Sequence, residues 1–288
     1  MEVPVEKSVE KSISKHKSYR VLVMSILFCG LAAIALLGSS YAWFSDMIRA
    51  QTEVLPVSGS ASAGDIGLQI SGSSTGPFGE KANLTRLDRC QVLYPVSTAN
   101  LEQFYGAKGQ NTQGKVAVYE EITDDVLEHI LYGELFLKPI YQDGQLYLEQ
   151  SAFTVIGNPQ LLASARLGMR FHAGDTTNTY IFPLETTMSG VVSQETSTGG
   201  TQQVVSAVSE QGVATFVTPE LQDLRDYQVP VVGEQAVVGN QSALCNLVKE
   251  QVVRVEVWIY MEGCDPESIL EAQDEEIQMN LAFAADSQ

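Results

Sequence analysis

The sequence predicts an all-β fold, an antiparallel β-sandwich preceded by an N-terminal transmembrane or signal helix. Three observations lead there. Apolar residues recur mostly with a period of two, as at Ile277, Met279, Leu281 and Phe283. Turn-forming residues punctuate these runs, as in Tyr141-Gln142-Asp143-Gly144. Helical patterning is scarce beyond the apolar run Val21 to Phe44. Alternation puts every second side chain on one face of a strand, so many short alternating segments bury their apolar sets by packing sheet on sheet.

Residues 1–20 form a basic leader with Lys7, Lys11, Lys15, Lys17 and Arg20, and such a flank stays on the cytoplasmic side of a membrane-inserting segment. Residues 21–44 carry no charge. At about 1.5 Å per residue, a helix of that length just crosses a ~30 Å hydrocarbon layer. Ser40 and Ala42 are small residues two apart, the shape a signal peptidase reads, which places the cut between Ala42 and Trp43. Cleaved signal and retained membrane anchor are both open readings, with cleavage favoured, and in either case the remainder lies outside the cell.

Residues 45–64 become rich in Ser, Ala and Gly and read as a tether, a donor strand or a loosely held first strand. The β domain spans 65–288. Its first alternating run is Asp65 to Ile70, followed by a brief one at Lys115 to Tyr119. Asp124 to Leu131 reads as a short helix or a strand extension. Gly133 to Ile140 and Gln145 to Phe153 flank the Asp143-Gly144 turn and read as a hairpin, since Asp-Gly tolerates positive φ. Ala165, Leu167, Met169 and Phe171 alternate with Arg166, Gly168 and Arg170, which gives one apolar face. Thr179 to Leu184, Gln203 to Val208, Val213 to Val217 and Val229 to Val232 are further strands, and 186–200 is a Ser/Thr/Gly/Gln-rich exposed loop. Val252 to Met261 and Ile277 to Phe283 carry the strongest patterns and should be central, with Trp258 in the sandwich core.

Charge excludes whole classes of partner. The chain has a net charge of −18, and beyond residue 42 there remain 12 basic against 32 acidic residues, a net of about −20. Nucleic acid is not expected, because Lys81, Lys108, Lys115, Lys138 and Lys249 stand singly and phosphate tracking needs clustered cations. Anionic lipid would repel such a surface. The acidic runs Asp124-Asp125 and Asp274-Glu275-Glu276 lack the spaced ligands and central Gly of a calcium loop. Cys29 falls in the apolar segment, so Cys90, Cys245 and Cys264 permit at most one internal disulfide. If 251–261 is one strand, Cys245 and Cys264 lie beyond its opposite ends. That leaves a pair involving Cys90, or three free thiols.

No cofactor, metal site or catalytic residue is expected. Gly72-Ser73-Ser74-Thr75-Gly76 fits G-x-S-x-G, but Pro77 and Gly79 follow where a nucleophile elbow needs a helix. His129 and His172 stand alone, without the paired spacing of a zinc protease. Asn83-Leu84-Thr85 and Asn240-Gln241-Ser242 match the glycosylation sequon, a short pattern that arises often by chance.

Leu36-Leu37-Gly38-Ser39-Ser40-Tyr41-Ala42-Trp43-Phe44-Ser45-Asp46 resembles the signal-peptide end of camelysin- and TasA-type Gram-positive surface proteins, which a dedicated signal peptidase processes. Trp258-Ile259-Tyr260-Met261-Glu262-Gly263-Cys264-Asp265-Pro266 resembles their W-x-E-G-x-D-P strand and turn, with Tyr260-Met261 adding a residue. Leu93-Tyr94-Pro95-Val96-Ser97-Thr98 and Ala165-Arg166-Leu167-Gly168-Met169 are similar to that family as well. The resemblance covers about a fifth of the chain and follows the family order from end to end. It implies a jelly-roll-like sandwich, secretion, and a fibre-forming matrix or cell-surface role. Camelysin has been described as a protease, but this chain has no zinc motif to receive that activity.

The expected function is therefore a non-enzymatic extracellular surface or biofilm-matrix protein that self-associates. A peptide freed at Trp43 would add as a strand to a neighbour's sheet edge, with Trp43, Phe44, Met47 and Ile48 as anchors. The alternative is a membrane-tethered ligand-binding or adhesion protein with 186–200 exposed. A secreted hydrolase is the remotest reading.

Overall fold

The computed structural model describes residues 56–61, 66–83, 93–110, 117–123, 126–150, 154–156, 159–184, 203–233, 235–265 and 278–287. The leader, the apolar segment 21–44, Cys29, Cys90, both acidic runs and the loop 186–200 lie outside them. No helix among the described residues is long and apolar enough to cross a membrane.

The strands in chain order are β1 (Pro56–Ala61), β2 (Leu68–Ser71), β3 (Lys81–Asn83), β4 (Pro95–Ser97), β5 (Tyr105–Gln110), β6 (Ala117–Glu121), β7 (Leu131–Pro139), β8 (Gly144–Glu149), β9 (Thr154–Ile156) and β10 (Ala165–Ala173). They continue with β11 (Thr176–Pro183), β12 (Val204–Val208), β13 (Ala214–Val217), β14 (Gln228–Val229), β15 (Val231–Val232), β16 (Gln235–Ala236), β17 (Cys245–Leu247), β18 (Val253–Glu262) and β19 (Gln278–Asp286). Pro159–Ser164 is a short α-helix and Val126–Glu128 a 3-10 turn, so the Asp124 to Leu131 stretch divides between the two readings the sequence allowed.

One sheet has the order β14-β8-β19-β1-β3, with β17 on β8 and β9 on β19. The other runs β11-β10-β18-β4-β5-β6, with β7 on β18 and β2 on β7. Both feed one core: Leu167, Met169, Phe171, Val255 and Val257 from the second sheet join Leu146, Leu281 and Phe283 from the first. Phe171 meets Phe283 edge to face across it, with ring centroids 6.5 Å apart. The all-β reading holds, and the apolar face expected on β10 is buried.

Three expectations need correction. The sheets are mixed rather than antiparallel, because β1 runs parallel to β19, β14 to β8 and β4 to β18. Each of these pairs joins strands distant in sequence, so no tight turn constrains their direction. The Tyr141 to Gly144 turn is no hairpin: β7 pairs with β18 and β2, whereas β8 pairs with β19, β17 and β14. It is a corner that carries the chain from one sheet to the other. Gly144 there is not among the positive-φ residues. A side chain at that position would strike Ile66 at 2.2 Å and the Asp286 carbonyl oxygen at 2.4 Å, so close approach is what requires glycine.

The stretch read as tether, donor or first strand supplies β1, which pairs within its own chain with β19 and β3. The core sheet thus starts before Asp65. β18 and β19 are central as expected, but in opposite sheets, facing each other across the core.

Candidate functional site

The segments Leu93–Thr98, Ala165–Met169 and Trp258–Asp265 come together at one end of the second sheet. Met261 and Glu262 pair with Pro95 and Val96, and Ala165 pairs with Met261 on the other side. Gly263 donates its N–H to the Val96 carbonyl at 2.9 Å. Its backbone lies against Pro95, where an added Cβ would sit 3.3 Å from the Pro95 carbonyl carbon. Gly263, like Gly144, is not a positive-φ residue, so close backbone approach rather than turn conformation favours glycine there.

Alternation turns Arg166 and Glu262 away from the shared core, yet both are buried. The Arg166 guanidinium forms an ion pair with the Asp265 carboxylate and donates to the carbonyls of Ala163 and Ala165 at 2.9 and 3.0 Å. The side chains of this pair are 2% and 0% exposed, so its strength depends on both partners staying in place. Glu262 accepts the Cys264 N–H at Oε1 (3.1 Å), while its buried Oε2 meets no hydrogen-bond partner among the described residues. Burial raises its pKa to about 7, with the Ser97 hydroxyl, the Cys264 N–H and Arg166 pulling the other way.

That shift makes stability depend on pH. Glu262 in the folded state holds its proton more tightly than the ordinary carboxyl value of 4.5, so its contribution is fully present below about pH 4.5 and is lost as pH rises through about 7. Glu262→Gln keeps the shape and removes the ionisation. Urea unfolding is expected to show the variant gaining about 2 to 3 kcal/mol on wild type between pH 5 and pH 8. An equal difference at both pH values would show that Glu262 does not ionise in this window.

A second polar cluster lies on the outer face of β7, β18 and β10. Tyr132 Oη is 2.7 Å from Glu134 and 2.9 Å from Glu256, one hydroxyl between two carboxylates. Arg254 bridges the same two carboxylates at 2.8 and 2.6 Å. His172 Nε2 reaches Glu256 at 2.7 Å. Arg170 lies 5.3 Å from the Trp258 ring centroid and donates to the Asn100 carbonyl at 2.8 Å. Burial first, and the two carboxylates after it, hold the Tyr132 hydroxyl well above its ordinary range. The cluster neutralises its own charges, which makes it a brace across three strands. The sequence signal for it was the alternation Arg254, Glu256, Trp258, a polar face on a central strand.

Among the described residues no group of three or more His, Cys, Asp or Glu could hold a metal ion. Gly72–Thr75 is a turn after β2 with no helix following, and Ser73 Oγ bonds Thr75 Oγ1 at 3.1 Å. His129 stacks edge to face on Tyr94, and burial lowers its basicity. Cys245 and Cys264 are both free, and burial pushes the Cys245 thiol up to about 12. Ala42, Trp43, Phe44, Met47 and Ile48, the residues assigned to cleavage and assembly, lie outside the described residues. No protein family, curated protein or solved structure matches the chain.

Proposed function

We propose that this chain is a non-enzymatic extracellular surface or matrix protein that self-associates into fibres after signal cleavage at Trp43, on a jelly-roll-like sandwich. The observation that carries the reading is the meeting of Leu93–Thr98, Ala165–Met169 and Trp258–Asp265 in one buried junction. Three short likenesses scattered over the sequence are parts of one structural unit, held by the Arg166–Asp265 pair and the Gly263–Pro95 contact. A shared junction of this kind supports a shared fold better than any one match does.

The sheet edge is the second support. β1 pairs with β3 only through Pro56, Val57 and Ser58, while its pairing with β19 continues to Ala61. Beyond Ser58 no described strand pairs with the far side of β1, which suits addition of an extended peptide from a neighbour. The test combines two measurements. Mass spectrometry of the secreted protein is expected to find Trp43 at the N-terminus. Light scattering over a concentration series is expected to show association that disappears on deletion of residues 43–52, with the fold retained because β1 starts at Pro56. A truncated protein that still polymerises rejects the assembly role of Trp43, Phe44, Met47 and Ile48. Intact residues 1–42 in the membrane fraction would favour the tethered protein instead.

A further inference from the structure

The β12–β13 hairpin forms a two-stranded sheet of its own, outside both large sheets. It lies against the edge of the second sheet formed by β4, β5 and β6, beside Cys264 after β18. Val205 packs with Tyr105, Tyr119 and Cys264. Its polar attachments are few. The Val205 N–H donates to Ser97 Oγ at 2.8 Å, the Tyr105 hydroxyl to the Ser206 carbonyl at 3.3 Å, and the Tyr119 N–H to the Gly212 carbonyl at 3.0 Å. Phe216 meets the Tyr119 ring edge to face at 5.9 Å but is itself 38% exposed. Ser97 is the link inward: its hydroxyl oxygen holds the hairpin, and the same hydroxyl interacts with the Glu262 carboxyl.

We propose that this hairpin is a flap whose closure is controlled by the protonation of Glu262, shut while the carboxyl is neutral and released when it ionises. The neutral acid tolerates a dry site. The anion there would have an oxygen with no partner, since Oε2 meets no hydrogen-bond donor with the flap shut. The charged groups acting on Glu262 are Arg166 from β10 and Asp265 from the turn after β18, with opposite signs. Arg166 is engaged by Asp265 and two carbonyls. Ser97 from β4, Cys264 and the buried hydroxyl of Tyr260 complete the surroundings, and Cys264 Sγ lies 3.4 Å from Tyr119 Oη of β6. Among the described residues, none of these adds a cation to Arg166. Water is therefore the remaining source of stabilisation for the anion. The flap is the weakly attached layer, and local opening of such a unit takes less free energy than unfolding the sheets. The balance near neutral pH follows from burial, which sets the carboxyl at about 7.

Hydrogen exchange read by mass spectrometry on the full chain, from pH 5 to pH 9 and corrected for the chemical exchange rate, tests this directly. Protection of the β12–β13 peptides is expected to fall by up to about tenfold per pH unit between about pH 5 and about 7, the window in which opening releases one proton, and to level off above about 7. β10 and β18 should stay better protected than the flap at every pH, since they exchange only on wider unfolding. In Glu262→Gln the flap profile should be flat. Ser97→Ala cuts the link but keeps the carboxyl, and should lower flap protection at every pH. Constant flap protection in the wild type overturns the proposal. So does an equal fall in Glu262→Gln, flap protection equal to that of β10 and β18 at every pH, or a wild-type profile in Ser97→Ala.

Discussion

Asp265→Ala is expected to cost about 3 to 5 kcal/mol of unfolding free energy, because it leaves the Arg166 guanidinium buried without its carboxylate. The Ala163 and Ala165 carbonyls that Arg166 also meets carry no full charge. The loss should be visible in urea denaturation as a lower midpoint with an unchanged slope. Replacing both partners is the informative control. Arg166→Met with Asp265→Ala removes the buried charge altogether, and the double variant should recover much of the loss, giving a coupling of the kind expected for residues in direct contact. If Asp265→Ala costs under about 1 kcal/mol, water reaches the pair and the junction is not the closed unit described above.

Trp258→Ala is expected to cost about 3 to 5 kcal/mol, the range for deleting a large buried aromatic side chain. The ring is 5% exposed, but it is not in the core shared by the two sheets. It lies on the outer face of β18 in a separate cluster with Leu101, Phe104, Ile181 and Tyr260. Tyr132 packs against it at 5.4 Å and Arg170 at 5.3 Å. Truncation would therefore open a space beneath the loop at 98–104 and remove a cation–π contact as well. Thermal unfolding decides the matter. A change of a few tenths of a kcal/mol would mean that the loop closes over the gap and that the outer cluster contributes little.

The contrast between those two residues shows what the sequence made legible. Strands with clean alternation, β10, β18 and β19, were readable because a half-buried strand writes its geometry into every second position. Pairing was not readable. Asp143-Gly144 signals a turn, and nothing local distinguishes a hairpin from a corner between sheets. β1, Pro-Val-Ser-Gly-Ser-Ala, has almost no apolar pattern and gains its place from backbone bonds to β19. β4 is three residues long and begins with proline. Arg166 sits where a solvent-facing residue belongs, and its partner Asp265 is 99 residues away, so its burial depends on a contact no local window contains. Trp258 was legible as buried, while the face that buries it was set by loop 98–104. Glu262 belonged to a recognisable motif, but its missing partner at Oε2 is a fact of three dimensions.

The arrangement of β18 and β19 governs the order in which the chain can fold. These strands follow every other described strand, and each is central to its sheet: β18 carries β10, β7 and β4, and β19 carries β8, β9 and β1. As the polypeptide emerges during synthesis, β10 and β7 have no strand to join them until Val253 to Glu262 arrives. β1 and β8 wait longer still, until Gln278 to Asp286 bridges them. The nascent chain thus has hairpins such as β10–β11 available early, with the second sheet incomplete until Glu262 and the first until Asp286. A topology dominated by such distant pairings folds slowly, with its apolar strand faces open in the interval. Chains halted before residue 253 would consist of strands without either completed sheet, a state suited to being held extended by another factor until the last two strands are delivered.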